Sequence, residues 1–236
     1  KKLILVELNE INFDIVKKYV ESGIKLPGFE KVINDGFKET SSESEYDKLE
    51  PWIQWPSVHT GKRFEEHKVF RLGDFINSSD DQFFEILEKI GYKVGAISPM
   101  NASNTLSNPA YFIPDPWTQT PSDKSFISRA LSSAISQAVN DNSKSKLTLT
   151  TIIKLLISIV SLIKPSRIIT LFMYAISSIK QSWKKALFLD LLLYEFHKTL
   201  MKRKKPDFAV IFLNAGAHIQ HHYFYNSPFV TNKNLK

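Results

Sequence analysis

"PDFAVIFLNAGAHIQHHYF", residues 206–224, decides how the chain is read. Phe208–Leu213 is a run of six apolar residues, the pattern of a strand buried on both faces. A polar turn follows, and then three histidines within five residues, His218, His221 and His222. If that segment is helical, His218 and His222 stand one turn apart on one face with His221 beside them.

Upstream stretches alternate in the same way. "LILVEL", residues 3–8, is a short apolar run expected as a buried strand. "NFDIVKKYVESG" predicts a helix stopped by Gly23, with Asn12 or Asn9 placed to cap it. "LPGFEKVINDGF" predicts a second helix, with Pro27 early and Gly36 past its end. "DDQFFEILEKIGYKVGAISPM" predicts a helix over 82–90, a turn at Gly91 and a strand over 93–97. Residues 101–145, rich in Ser, Asn, Pro and Thr, are expected as loop, and 146–204 as wholly helical. The expected fold class is therefore α/β, a mostly parallel central sheet flanked by helices, with a largely helical insertion. The α/β core is divided between 1–100 and 206–236, and 101–205 forms a loop and helical cap. In such sheets ligands gather at the carboxyl ends of strands. "LNEIN", "SPMNASN" and "NAGAHIQHH" all fall there.

The chain has 236 residues, no Cys and a net charge of +7. Absence of Cys excludes a disulfide framework and thiolate-held zinc, and fits a reducing, cytoplasmic compartment. The positive charge suits phosphates or anionic lipid, or a solvated face. No basic and aromatic pattern on one face points to nucleic acid, so none is expected as a partner. The N-terminal apolar run is too short for a signal peptide and is broken by Glu7. The most apolar stretch, 147–183, contains Lys154 and Pro165, and its stripe of Ile152, Leu155, Leu156 and Val160 is helical. It is expected as a buried helical hairpin or, as the alternative, a peripheral contact at the membrane face.

Candidate chemistry lies in three places. His218 and His222 have the spacing and donor type for a divalent metal, Zn or Mn, against a surface cluster with no ligand. Asn9 and Glu10, ending the first strand, offer oxygen donors; Glu7, inside that strand, is not expected to bind. "LEPWIQWPSVHTGKRFEEH", residues 49–67, has the look of an active-site loop, with Ser57, Thr60, His59 and His67 as nucleophile and base candidates. Ser57 is equally placed to cap a helix. Trp52 and Trp55 are expected to pack rather than stack on a ligand, and His197 to be an ordinary helix residue.

The order of these segments resembles the alkaline phosphatase superfamily, closest to its type I phosphodiesterase and nucleotide pyrophosphatase branch. "LILVELNEINFDIV" is similar to that branch's first strand and "I-D-G-x-R-x-D" turn, and "LPGFEKVINDGF" to its "T-P-N-L-D-x-L-x-x-E-G" helix. "EPWIQWPSVHTGKRFEEHKVF" resembles its nucleophile segment. "LEKIGYKVGAIS" looks like its next helix and strand, and "PDFAVIFLNAGAHIQHHYF" like its "P-D-L-x-x-x-Y-x-x-x-x-D-x-x-G-H" segment. The resemblance implies a two-metal site that cleaves phosphate or sulfate esters through a covalent intermediate. Carried over residue by residue, it puts Asn9 at the first metal Asp, Gln54 at the nucleophile, His218 at a later metal Asp and His222 at a metal His. An amide cannot attack as a hydroxyl does, and Asn9 brings no charge. Further ligands of the family follow this last segment, so the chain is expected to be incomplete relative to it. Two expectations result. One is a metal-dependent hydrolase or transferase acting on a phosphodiester, a nucleotide-sugar, or another phosphorylated or sulfated small molecule or carbohydrate. The other is a catalytically degenerate relative, serving as a binding or assembly module in surface polysaccharide metabolism.

Overall fold

The computed structural model describes residues 2–140 and 148–230. Four strands, β1 (Leu3–Leu8), β2 (Val94–Ile97), β3 (Tyr111–Ile113) and β4 (Phe208–Leu213), form one sheet in the order β1-β4-β2-β3, every pair parallel. The α/β reading is correct at this level. β4 lies inside the sheet, and its uninterrupted apolar run is buried on both faces. Alternate residues serve opposite layers. Val94, Ala96, Phe112, Phe208 and Val210 pack on one side, with Phe84. Ile97, Tyr111, Ile113 and Ile211 pack on the other, against Leu131, Leu192 and Phe196.

Helices α1 (Phe13–Glu21) and α2 (Pro27–Asp35) form where their caps predict. The Asn12 carboxamide oxygen accepts from the Ile15 N–H at 3.0 Å, and Gly36 ends α2 at a φ of 88°. Neither helix buries a residue. β1 is consequently not the buried strand expected from its composition. It is a sheet edge on which Leu3, Ile4, Val6 and Leu8 are exposed, while Glu7 is buried.

Residues 49–67 are not a loop. They hold α3 (Pro51–Thr60) and the single turn α4 (Phe64–His67). Pro51 starts α3 at its first turn, and Gly61 ends it in the left-handed region at a φ of 69°. Pro56 has no N–H to give to Trp52 O four residues back. That carbonyl accepts instead from the Asn101 amide at 2.6 Å, fastening "SPMNASN" to α3. Ser57 sits inside the helix rather than at its cap. α5 (Phe83–Lys89) precedes β2 as expected.

The loop expected over 101–145 contains β3 and α6 (Phe126–Asn140); 141–147 lies outside the described residues. α6 buries Leu131, Ala134 and Ile135 at helical spacing amid a Ser- and Asn-rich composition. The helical stretch expected over 146–204, of which 146–147 is not described, is α7 (Leu149–Leu162), α8 (Pro165–Lys180) and α9 (Lys184–Lys204). α7 and α8 are not a buried hairpin. Leu149, Ile152, Ile153, Leu156, Ile157 and Val160 of α7 are exposed, as are Ile169, Phe172, Met173, Ile176 and Ile179 of α8. Their inward faces carry Thr151, Ser158 and Ser178 beside Leu162 and Leu171. Among the described residues no helix is long and apolar enough to cross a membrane. α10 (Ala215–Tyr223) follows β4 after one residue.

Candidate functional site

Because the strands are parallel, the segments after β1, β4 and β2 emerge at one end of the sheet. They meet there. The Asn9 amide nitrogen donates to Asn214 Oδ1 at 2.9 Å, and Asn9 Oδ1 accepts from the Trp55 indole at 2.9 Å. Indole N–H is only a donor, so it fixes which end of the Asn9 amide faces α3. Glu10, at a φ of 52°, holds His221 Nε2 at 2.7 Å. The Gln220 amide donates to Glu10 O and its oxygen accepts from Asn12 N, tying α10 to the turn after β1.

On the far side of α10, His218 and His222 stand with ring centroids 4.8 Å apart. They line a cavity of about 820 Å³ between the sheet end and α6, α7 and α9. Burial, with the charges of His222 and His221, holds His218 below the usual imidazole range, so near neutral pH it is uncharged. Ser98, Asn214 and Asp190 also line the cavity. Asp190, from α9, accepts from Asn214 N at 3.2 Å and Ala215 N at 2.8 Å, capping α10 from another helix. Burial pushes its carboxyl up to about 6 against those two bonds.

The residues expected to act together are therefore divided. Among the described residues, His218 and His222 line the cavity; Asn9, Glu10, Gln54, Ser57 and Thr60 do not. Gln54 donates to Lys48 O at 2.6 Å. Thr60 Oγ1 donates to Pro56 O at 2.7 Å and accepts from Lys62 N at 3.2 Å, closing the end of α3. Ser57 Oγ lies 2.9 Å from His67 Nε2, the geometry of a nucleophile and its base. The tautomer runs the other way. His67 Nδ1 accepts from Val69 N at 3.0 Å, so in the neutral ring the proton is on Nε2 and is given to Ser57. Burial lowers the His67 pKa and keeps that ring neutral.

The donors do not fit the two-metal centre that the resemblance implies. The Asn9 oxygen is taken by Trp55 and the Glu10 carboxylate by His221. Among the described residues no three His, Cys, Asp or Glu side chains gather as a metal site. Sequence reasoning did not single out Asp190 or Asn214. The signal for Asp190 was there, one acid in the apolar run "ALFLDLLL".

Asp190 supplies a pH test. Its folded pKa lies above the ordinary carboxylate value, so the folded chain holds the proton more tightly than the unfolded chain. That contribution is complete below about pH 4, the unfolded carboxylate range, and is lost as pH rises through about 6. Urea titrations of wild type and Asp190→Asn across this range should show the wild-type advantage shrinking toward pH 6, then levelling. A difference that is constant with pH would place the proton elsewhere.

No family model matches the chain, and neither does any curated protein or solved structure.

Proposed function

We propose that the chain is a binding module, a catalytically degenerate relative of the alkaline phosphatase superfamily that holds a phosphorylated or sulfated small molecule or carbohydrate. A cytoplasmic site of action at the membrane face belongs to the same reading. The observation that carries it is the cavity at the carboxyl ends of β4 and β2, with two imidazoles on its wall. Imidazole N–H groups donate to an anion, and protonation adds charge. Lys185 is also among the lining residues and brings a further cationic side chain. Binding needs no nucleophile. Gln54 has its amide committed to Lys48, and Ser57 Oγ accepts a hydrogen bond from His67 Nε2 rather than donating its own proton there.

Calorimetry with glucose 1-phosphate tests this. Affinity should rise as pH falls below the ordinary imidazole range and His218 takes up its proton, and should drop roughly tenfold or more, about 1.4 kcal/mol, in a His218→Ala/His222→Ala variant. Turnover of bis(4-nitrophenyl) phosphate, with one equivalent of zinc or manganese lost in the same variant, would replace this reading with the metal-dependent hydrolase or transferase.

A further inference from the structure

Polar lining residues run along α10 and the start of α9, from Asn214 and Asp190 to Ser182 and Lys185. The rest is walled by Ile135 and Val139 of α6, Leu155 of α7, and Phe188, Leu189 and Leu193 of α9. A volume of about 820 Å³ far exceeds what a phosphate or sulfate group occupies and lies in the range of pockets that enclose whole organic ligands. A hydrocarbon chain matches such a wall.

A second observation is independent of the cavity. α7 and α8 turn an apolar stripe to the outside while hydroxyl residues face inward. On α7 the stripe follows the helical repeat, from Leu149 through Ile152, Ile153, Leu156 and Ile157 to Val160. Leu155 of the same helix lines the cavity, so the outer apolar surface and the inner wall share one helix. Lys154, Lys164, Arg167 and Lys180 lie on or beside the two helices. An apolar face with basic neighbours is the composition of a helix lying in an anionic lipid interface.

We propose that the ligand of this cavity is an anionic amphiphile, with its phosphate or sulfate head at His218 and His222 and its hydrocarbon tail between α6, α7 and α9. The assignment of the head rests on the binding function proposed above; the tail rests on the cavity wall and on α7. Asp190 does not repel the head as a bare carboxylate would, because both its oxygens accept N–H groups at the start of α10. Lipid is met at the outer face of α7 and α8, and the tail passes to the inner side of α7.

The test uses the full chain and a homologous series, inorganic phosphate, butyl phosphate and dodecyl phosphate, the last below its micelle threshold, with dodecanol as a headless control. Each buried methylene multiplies affinity by about fourfold, so dodecyl phosphate should bind at least ~100-fold more tightly than butyl phosphate. Ala138→Phe, a larger side chain at an exposed position on the cavity rim, should erase that ratio while leaving inorganic phosphate binding unchanged and the circular dichroism native. Equal affinity for the butyl and dodecyl esters overturns the tail site and leaves the anion-binding function standing. Dodecanol binding as tightly as dodecyl phosphate, with no effect of His218→Ala/His222→Ala, overturns the head assignment and keeps the tail. No heat with any of the four overturns both. Flotation with phosphatidylglycerol vesicles, lost in Ile153→Glu/Ile157→Glu, identifies the source as a bilayer. Dodecyl phosphate binding without flotation identifies a water-borne amphiphile at the same site.

Discussion

Replacing His59 by Leu should lower the unfolding free energy by roughly 3–5 kcal/mol, the range found when one partner of a buried polar or ionic pair is removed. His59 Nε2 lies 3.1 Å from Glu7 Oε1, and both side chains are almost wholly excluded from solvent. Glu7 Oε2 and His59 Nδ1 have no hydrogen-bond partner among the described residues. The loss of the imidazole therefore leaves a carboxyl group buried with nothing to satisfy it. The position sharpens the effect, because Glu7 is the one buried residue of β1, whose apolar residues lie outward. The pair is the polar link between this edge strand and α3. Around His59 the rings of Trp55, Phe83 and Phe84 stand 5.3–5.9 Å away, an environment that accepts an aliphatic side chain. A Glu7→Leu/His59→Leu double variant should accordingly recover most of the loss, to within about 1 kcal/mol of wild type. Urea denaturation with a common m-value reads all three. A double variant as unstable as the single would show that His59 acts through shape, with Glu7 uninvolved.

That pair also marks where the sequence stops being informative. β4 could be read because a run buried on both faces carries its evidence in consecutive residues. α1 and α2 could be read because Asn12, Pro27 and Gly36 act within one turn of the ends they set. β1 has the same composition as a buried strand. Whether it lies inside the sheet or at its edge depends on which strands pair, and no residue of 3–8 encodes that. Glu7 was set aside for the same reason, since its partner is 52 positions away. Two prolines hid α3, although Pro51 starts the helix and the bond Pro56 cannot make is replaced by Asn101. In α7 and α8 the helical stripe was legible and its direction was not. Periodicity shows that one face is apolar, and the core is only the commonest thing for that face to meet. The site divides likewise. His218 and His222 follow from i,i+4 spacing, whereas the cavity they line is assembled from α6, α7 and α9 and has no local signature.

Gly95→Val should cost about 3 kcal/mol, the top of the usual range for overpacking. Strand propensity alone predicts the opposite, since Val is among the best strand residues and Gly among the worst. The two arguments differ in sign, so the experiment decides between them. Gly95 pairs directly with Tyr111 on β3, and a Cβ at Gly95 would lie 2.5 Å from Tyr111 Cζ and 2.6 Å from Cε1. The ring has little room to withdraw. It is buried, it packs edge-on against the His197 imidazole of α9 at 5.8 Å, and its hydroxyl lies 3.3 Å from His197 Nδ1. Burial pushes the His197 pKa down to about 4, so this contact is between neutral groups and persists at neutral pH. Relief must come from moving β2 or β3, and β2 is held on its other edge by β4. Removing the obstacle should restore the propensity argument: in a Tyr111→Ala background, Gly95→Val should cost far less, or stabilise. The double variant should therefore be more stable than the two single losses added together. If Gly95→Val costs the same in both backgrounds, the ring is not the obstacle and β2 excludes side chains at residue 95 for a reason lying in its own backbone.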